Sequence, residues 1–179
     1  MQITGMKRVQ TSPPPPDQSP SSKVSKHRED NKITCSISSE EFDLTSTPLK
    51  LKSNSFTDWG KIISFGKDNS NSVSKSALYN YCLSQYIGAK TATFPHNRQT
   101  ITQNELSYLN IPTFDQYNNN KPYYDLEYNL YLICNSSQSN EEQTTNINSL
   151  LESTELPIQS IVTLLIKYKF PDLNKINIK

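Results

Sequence analysis

Glycine is scarce, with four in 179 residues. A phosphate-cradling loop, a dinucleotide fingerprint and a nucleophile elbow each need several glycines at fixed spacing, so none can be built in its usual form. Net charge is nearly absent as well. Eighteen basic residues face seventeen acidic ones, which removes the general attraction that binders of nucleic acid or anionic membrane rely on. Long apolar runs are missing too. The longest, Ile161 to Ile166, is interrupted by Thr163 and falls far short of the roughly 18 residues that span a bilayer. Lys7, Arg8 and the prolines from Pro13 to Pro16 are followed by no apolar stretch, so a secretory signal is not expected and the protein should be cytoplasmic, nuclear or both. Neither a membrane nor a nucleic acid is expected as partner.

Cysteine and histidine are equally sparse. Cys35, Cys82 and Cys134 are odd in number and widely spaced, fitting neither a small disulfide framework nor a zinc pattern, and they read as reduced thiols. His27 and His96 read as surface residues, and no metal or cofactor is expected. Core formers are thin overall. Leu, Ile, Val and Phe number 41, about 23% of the chain and only a little above the level at which chains fail to bury enough surface to fold. Their distribution is uneven, because only nine of them lie in residues 1–55.

That unevenness divides the chain. Residues 1–55, with the run Thr11-Ser12-Pro13-Pro14-Pro15-Pro16 and few apolar side chains, read as a disordered Ser/Pro-rich arm. Within it, Ile33, Cys35 and Ile37 alternate with polar residues as a half-buried strand would, but the acidic stretch just after them favours chance alternation. Residues 56–134 read as a small α+β module, 135–146 as a polar linker, and 147–179 as a helical tail packing on the module or on a partner. The expected fold class is therefore a small α+β module with few strands and an amphipathic C-terminal helix, preceded by a long disordered N-terminal arm.

Inside the module, Phe56, Trp59, Ile62, Ile63 and Phe65 form a dense apolar cluster. Ser74 is a candidate N-cap for a helix carrying Ala77, Leu78, Tyr81, Cys82 and Tyr86 on one face, with Gly88 as its C-terminal glycine. Thr102-Gln103-Asn104-Glu105 has the form of a capping box, and Leu106 and Leu109, closed off by Pro112, make the segment a short helix. Residues 115–122 read as a loop. The alternation from Tyr124 to Leu132 predicts a strand. Ile158, Ile161, Val162 and Leu165 recur at helical spacing between Pro157 and Pro171, predicting an amphipathic helix over about 155–169.

Catalytic constellations are weak. Asp125 and Glu127 would share one face of the expected strand, as a carboxylate pair does, yet the solvent side of such a strand has the same pattern. Cys82 or Cys134 would need His96 beside it. The aromatic segment carries Lys90, Arg98 and Lys121 against Glu105, Asp115, Asp125 and Glu127, too little positive charge for phosphates to be held while bases stack.

Short motifs carry more. Thr47-Pro48-Leu49-Lys50 has the form of a proline-directed kinase site, and Ser12-Pro13 and Ser19-Pro20 are minimal ones, so Thr47, Ser12 and Ser19 are phosphorylation candidates in a segment a kinase could reach. Lys61-Ile62-Ile63-Ser64-Phe65 resembles the Arg/Lys-x-Val/Ile-x-Phe peptide by which regulatory subunits hold the catalytic subunit of type-1 protein phosphatase. Such peptides add a strand to a sheet edge and place alternate side chains in pockets. Asp58-Trp59-Gly60-Lys61-Ile62 resembles the peptide that binds ubiquitin-like autophagy modifiers. The competing reading makes Trp59, Ile62, Ile63 and Phe65 core residues. The C-terminal stripe of Ile158, Ile161, Val162 and Leu165 either closes the core or lies in a partner's groove. The expected function is that of a non-catalytic intracellular regulatory or adaptor protein, acting by protein–protein docking and switched by proline-directed phosphorylation. Its candidate partners are a phosphatase catalytic subunit and a proline-directed kinase. The alternative is a constitutive subunit of a larger assembly, and an uncharacterised small enzyme comes third.

Overall fold

Ile33 and Cys35 alternate with polar neighbours because they do point inward. A computed structural model describes residues 32–44, 48–49, 55–65, 71–171 and 173–178, all within the unit Asn31–Lys179. Strand β1 (Lys32–Thr34) pairs antiparallel with β2 (Glu41–Asp43), Ile33 standing opposite Phe42. Ile33 and Cys35 are buried. Cys35 N–H donates to the Glu40 carbonyl at 2.9 Å within the hairpin, and Ser36 N–H donates to the Ser72 carbonyl at 2.7 Å, which fastens the hairpin to the rest of the fold. Composition places residues 32–44 in the arm, whereas the structure makes them a hairpin. Packing against distant residues, invisible to a local count, overrides the polar flanks. The remaining expectations for the arm, and those for Ser12, Ser19 and Thr47, lie outside the described residues.

A second antiparallel sheet has the order β3 (Thr57–Asp58), β4 (Ile62–Phe65), β5 (Asn71–Ser74). All four residues of β4 are buried, since it is the central strand and is covered on both faces. Trp59 N–H donates to the Ile62 carbonyl at 2.9 Å, which extends the β3–β4 pairing and leaves Gly60 and Lys61 as a two-residue turn. Gly60 takes φ +92° at its first position, where turns that follow the strand twist require a positive φ.

Helix α1 (Lys75–Ile87) leaves β5 without a linker, because Ser74 ends the strand and its hydroxyl caps the helix by accepting from Ala77 N–H at 3.1 Å. Ala77, Leu78, Cys82 and Tyr86 are buried as the spacing predicts, and Tyr81 is half-buried. Gly88 is the last residue before the turn rather than the left-handed one, which is Ala89 at φ 53°. Helix α2 (Gln103–Tyr108) starts on the Thr102–Glu105 capping box. The expected loop at 115–122 is instead helix α3 (Phe114–Asn119), opened by a second capping box between Thr113 and Gln116, and then the first turn of α4 (Lys121–Cys134).

Helix α4 corrects the expected strand at 124–132. Residues two apart on a helix lie on nearly opposite faces, so a helix buried on both sides alternates much as a strand does. Leu126 and Leu130 face one hydrophobic cluster with Ile147, Leu151, Ile161, Leu164 and Leu165, while Tyr124 and Tyr128 pack on the other, built from the sheet and α1 to α3. Helix α5 (Asn140–Glu152) begins on a third capping box, Ser139 with Glu142, inside the stretch expected as a linker. Its buried residues Gln143, Ile147 and Leu151 recur every four positions. Helix α6 (Ile158–Lys167) starts after Pro157, and a 3₁₀ turn follows at Leu173–Lys175. The described residues thus form a small α+β fold.

If α5 packs as described, Ile147→Ala should cost about 2–4 kcal/mol in urea unfolding, the usual penalty for emptying a fully buried aliphatic site. A residue in a solvated linker would leave the midpoint unmoved.

Candidate functional site

Two carboxylates are wholly withdrawn from water. Asp58, at the end of β3, and Glu127, in the middle of α4, both have side chains with no exposed area. Buried charge is tolerated only when paired and hydrogen-bonded, and each has acquired the same set of partners. Asp58 Oδ2 accepts from Lys75 Nζ at 2.7 Å and from the Tyr108 hydroxyl at 2.6 Å, while Oδ1 accepts from Gly60 N–H at 2.8 Å. Glu127 accepts from the Tyr79 hydroxyl at 2.6 Å and from Lys167 Nζ. In both sets the ammonium also lies over the tyrosine ring, 5.6 Å from the centre of Tyr108 and 4.5 Å from that of Tyr79, adding a cation–π attraction.

These partners set the electrostatics. Burial alone would raise the Asp58 carboxyl, but the bonds from Lys75, Tyr108 and Gly60 outweigh it and hold the group below the usual carboxylate range. Burial, reinforced by Glu127, pushes the Tyr79 and Tyr168 phenols far above their ordinary value, so both remain protonated. The bond to Asp58 and, to a lesser degree, burial bring Tyr108 to about 12.

Lys75 and Lys167 both open onto one cleft of about 850 Å³. The start of α1 lines it with Ser74, Lys75, Ser76 and Ala77. The β3–β4 turn contributes Gly60 and Lys61, the β1–β2 hairpin Ser38, Glu40 and Phe42, the end of α4 Tyr131 and Asn135, and the end of α6 Lys167, Tyr168 and Lys169. Lys75 N–H donates to the Lys61 carbonyl at 2.9 Å, which holds the turn beside the helix start. Lys169 adopts φ 52°, the left-handed residue that closes α6, and Phe170 N–H then donates to the Leu165 carbonyl at 3.1 Å. Among the described residues, four lysines therefore face one lining carboxylate, Glu40. Two of the four are engaged by Asp58 and Glu127, and Lys61 and Lys169 are exposed.

The residues singled out by sequence fall elsewhere. Ile62, Ile63 and Phe65 are core, at 1, 0 and 3% exposure. Trp59 is half-buried and donates from Nε1 to Ser64 Oγ at 2.9 Å. Both edges of β4 are already paired, so docking through these side chains would require β4 to leave its sheet. On α6, Ile161 and Leu165 are buried, Val162 is half-buried and Ile158 is 51% exposed; Leu164, not Ile158, completes the inward face. Asp125 and Glu127 point apart, Asp125 to Tyr117 and Lys121, Glu127 to Tyr79 and Lys167. His96 stacks on Phe65 with ring centres 3.8 Å apart. Burial pushes the Cys82 thiol up to about 12 and raises that of Cys134, away from the thiolate form that nucleophilic chemistry needs.

Sequence reasoning misses the cleft lysines. Asp58 and Lys61 are visible in it only as flanks of docking patterns, and the one signal for Glu127 is a carboxylate amid tyrosines and leucines. Among the described residues no helix is long and apolar enough to cross a membrane, and no group of His, Cys, Asp and Glu is placed to hold a metal. Compared with family models, curated proteins and solved structures, the chain has no match.

The depressed Asp58 carboxyl implies a pH dependence with a definite sign. Its contribution is fully present above the ordinary Asp range, near pH 4, and is lost as pH falls through its lower folded value. The urea midpoint of the wild type should therefore drop between pH 5 and pH 3 more steeply than that of Asp58→Asn.

Proposed function

We propose that this protein is a non-catalytic interaction module, of the regulatory or adaptor kind, whose lysine-lined cleft receives a segment of a protein partner. The observation that carries this reading is the cleft's construction. Buried carboxylates fix Lys75 and Lys167 in place, Lys61 and Lys169 add two charges without an ion-pair partner among the described residues, and Phe42, Tyr131 and Tyr168 supply apolar wall. Fixed polar groups set within an apolar surface are what gives a binding recess its orientation and specificity. Proline-directed phosphorylation at Thr47, Ser12 or Ser19 is the switch in this reading, acting through added negative charge, and the expected setting is the cytoplasm or nucleus.

A photo-crosslinking residue at Phe42 should capture partners that the same residue at Gln159, on the outer side of α6, does not. The captured set should shrink when Lys61 and Lys169 are both changed to Glu. Equal capture from the two positions would reject the cleft as the docking site.

One observation favours constitutive assembly as a second reading. Ile158, Val162 and Ile166 succeed each other at four-residue spacing on the outer face of α6, with Ile158 51% and Ile166 60% exposed, an apolar line that a solitary helix gains nothing by displaying. Under this reading Ile158→Lys with Ile166→Lys should abolish co-purification that resists phosphatase treatment, while stability changes by less than about 0.5 kcal/mol, as for ordinary surface substitutions.

A further inference from the structure

We infer that Ser38, at the tip of the β1–β2 hairpin, is a phosphorylation site for an acid-directed protein kinase, and that the phosphate it receives reverses the charge of the cleft. The site stands on the hairpin alone, and its effect on partners rests on the docking reading above. Kinases of this class select a serine by the carboxylates that follow it, above all at the third position, which a basic pocket receives. Ser38-Ser39-Glu40-Glu41 supplies acids at the second and third positions, and Asp43 follows. Every residue from Ser36 to Glu41 is exposed. Glu41 pairs with Lys32 at 3.2 Å, with side chains 62 and 63% exposed, so a competing cation takes it at little cost. The Ser38 hydroxyl donates to Glu40 Oε2 at 2.8 Å, also at the surface. Strands of three residues each flank the loop, which can open locally for a kinase that reads extended chain.

Other serines and threonines with a like pattern are otherwise occupied. Ser139-Asn140-Glu141-Glu142 carries the same acids, but Ser139 and Glu142 are bound to each other in the capping box of α5. Thr102 is engaged in the same way by Glu105, which is buried. Ser39 has Phe42, not an acid, at its third position. In the transfer, the Ser38 oxygen bonds to the γ-phosphorus of a nucleoside triphosphate held by the kinase. The bond to the bridging oxygen breaks, the nucleoside diphosphate leaves, and the hydroxyl proton passes to the kinase's general base. Ser38 lines the same cleft as Lys61 and Lys169. Lys75 and Lys167 are matched by Asp58 and Glu127. Lys61 and Lys169 against Glu40 then leave the described lining about one positive charge, and a phosphate with nearly two negative charges leaves it about one negative. Repulsion from Glu40 on the same loop directs the new group towards the lysines of the other walls. An acidic segment that the unmodified cleft accepts is then repelled.

The test treats the full chain with ATP and a purified acid-directed serine kinase of the casein kinase type. Tandem mass spectrometry should find Ser38 modified at least tenfold more than Ser139. Glu41→Gln should lower incorporation at Ser38 at least fivefold with the urea midpoint unchanged, whereas Glu142→Gln should leave it as it was. No incorporation, preferred labelling of Ser39 or Ser139, or labelling of Ser38 that ignores Glu41 would overturn the site. On the opposite walls, phosphorylation should shift the amide signals of Lys61 and Lys169 as well as those of the hairpin. It should also reduce the crosslinks from Phe42 at least threefold, with Ser38→Ala abolishing both changes. Shifts confined to residues 35–43, or crosslinks unaffected by the phosphate, would overturn the charge reversal. If Phe42 captured no more than Gln159 before treatment, the docking reading would fall by itself, since the mass and amide measurements do not depend on it.

Discussion

Glu127 is the point on which the fold turns. It lies on α4, a helix with hydrophobic clusters on two sides, and accepts from Tyr79 of α1 and Lys167 of α6. A carboxylate in that position is costly to bury, so the three helices must meet in one register for its bonds to be made. Apolar packing tolerates small slippage, whereas a buried ion with fixed donors does not, and this is how one side chain helps align the two clusters that α4 joins. Asp58 does the same on the sheet side, joining the β3–β4 turn, the start of α1 and the end of α2 through Gly60, Lys75 and Tyr108.

This arrangement also explains a chain with so few core formers and so many tyrosines. A small core supplies limited stabilisation, and tyrosine supplies both a large apolar ring and a hydroxyl that a buried carboxylate can use. Tyr79, Tyr108 and Tyr117 each donate to a carboxylate at 2.6 Å while their rings pack below a lysine. The pattern appears three times with different local sequences, twice around a fully buried carboxylate and once around the half-exposed Asp125, so it reflects a physical way of holding a carboxylate against an apolar surface rather than a repeat.

How far the sequence is legible depends on where each signal resides. The start of α1 and the α2 capping box are local, a hydroxyl and a few bonds within four residues, and Ser74, Thr102 and Glu105 announce them. The same motif at Ser139-x-x-Glu142 is hard to see because the residues after it are polar, with Ile147 and Leu151 spaced too thinly to register as a stripe. The period of α4 misleads because two buried faces superimpose into an alternation, and only knowledge of what lies on each side separates a tyrosine face from a leucine face. The hairpin at 32–44 depends on Ser72, far along the chain. The cleft is the least legible part, since its lysines come from the β3–β4 turn, α1 and the end of α6, and their value depends on which have buried counter-ions.

The distinction between engaged and unengaged lysines has a mechanical consequence. Cleft walls come from the sheet side, from α1 and from the ends of α4 and α6, and so from both hydrophobic clusters. A ligand seated in the cleft therefore touches segments that α4 and the bonds of Glu127 already join. Binding and folding are then coupled in the ordinary thermodynamic sense, because anything that prefers the assembled cleft stabilises the assembly. Since Lys167 and Lys169 flank the half-buried Tyr168, a change in the register of α6 would move the fixed and the free charge together. The buried carboxylates thus set the geometry that the exposed lysines present, and the stability of the fold and the shape of its recess depend on the same few bonds.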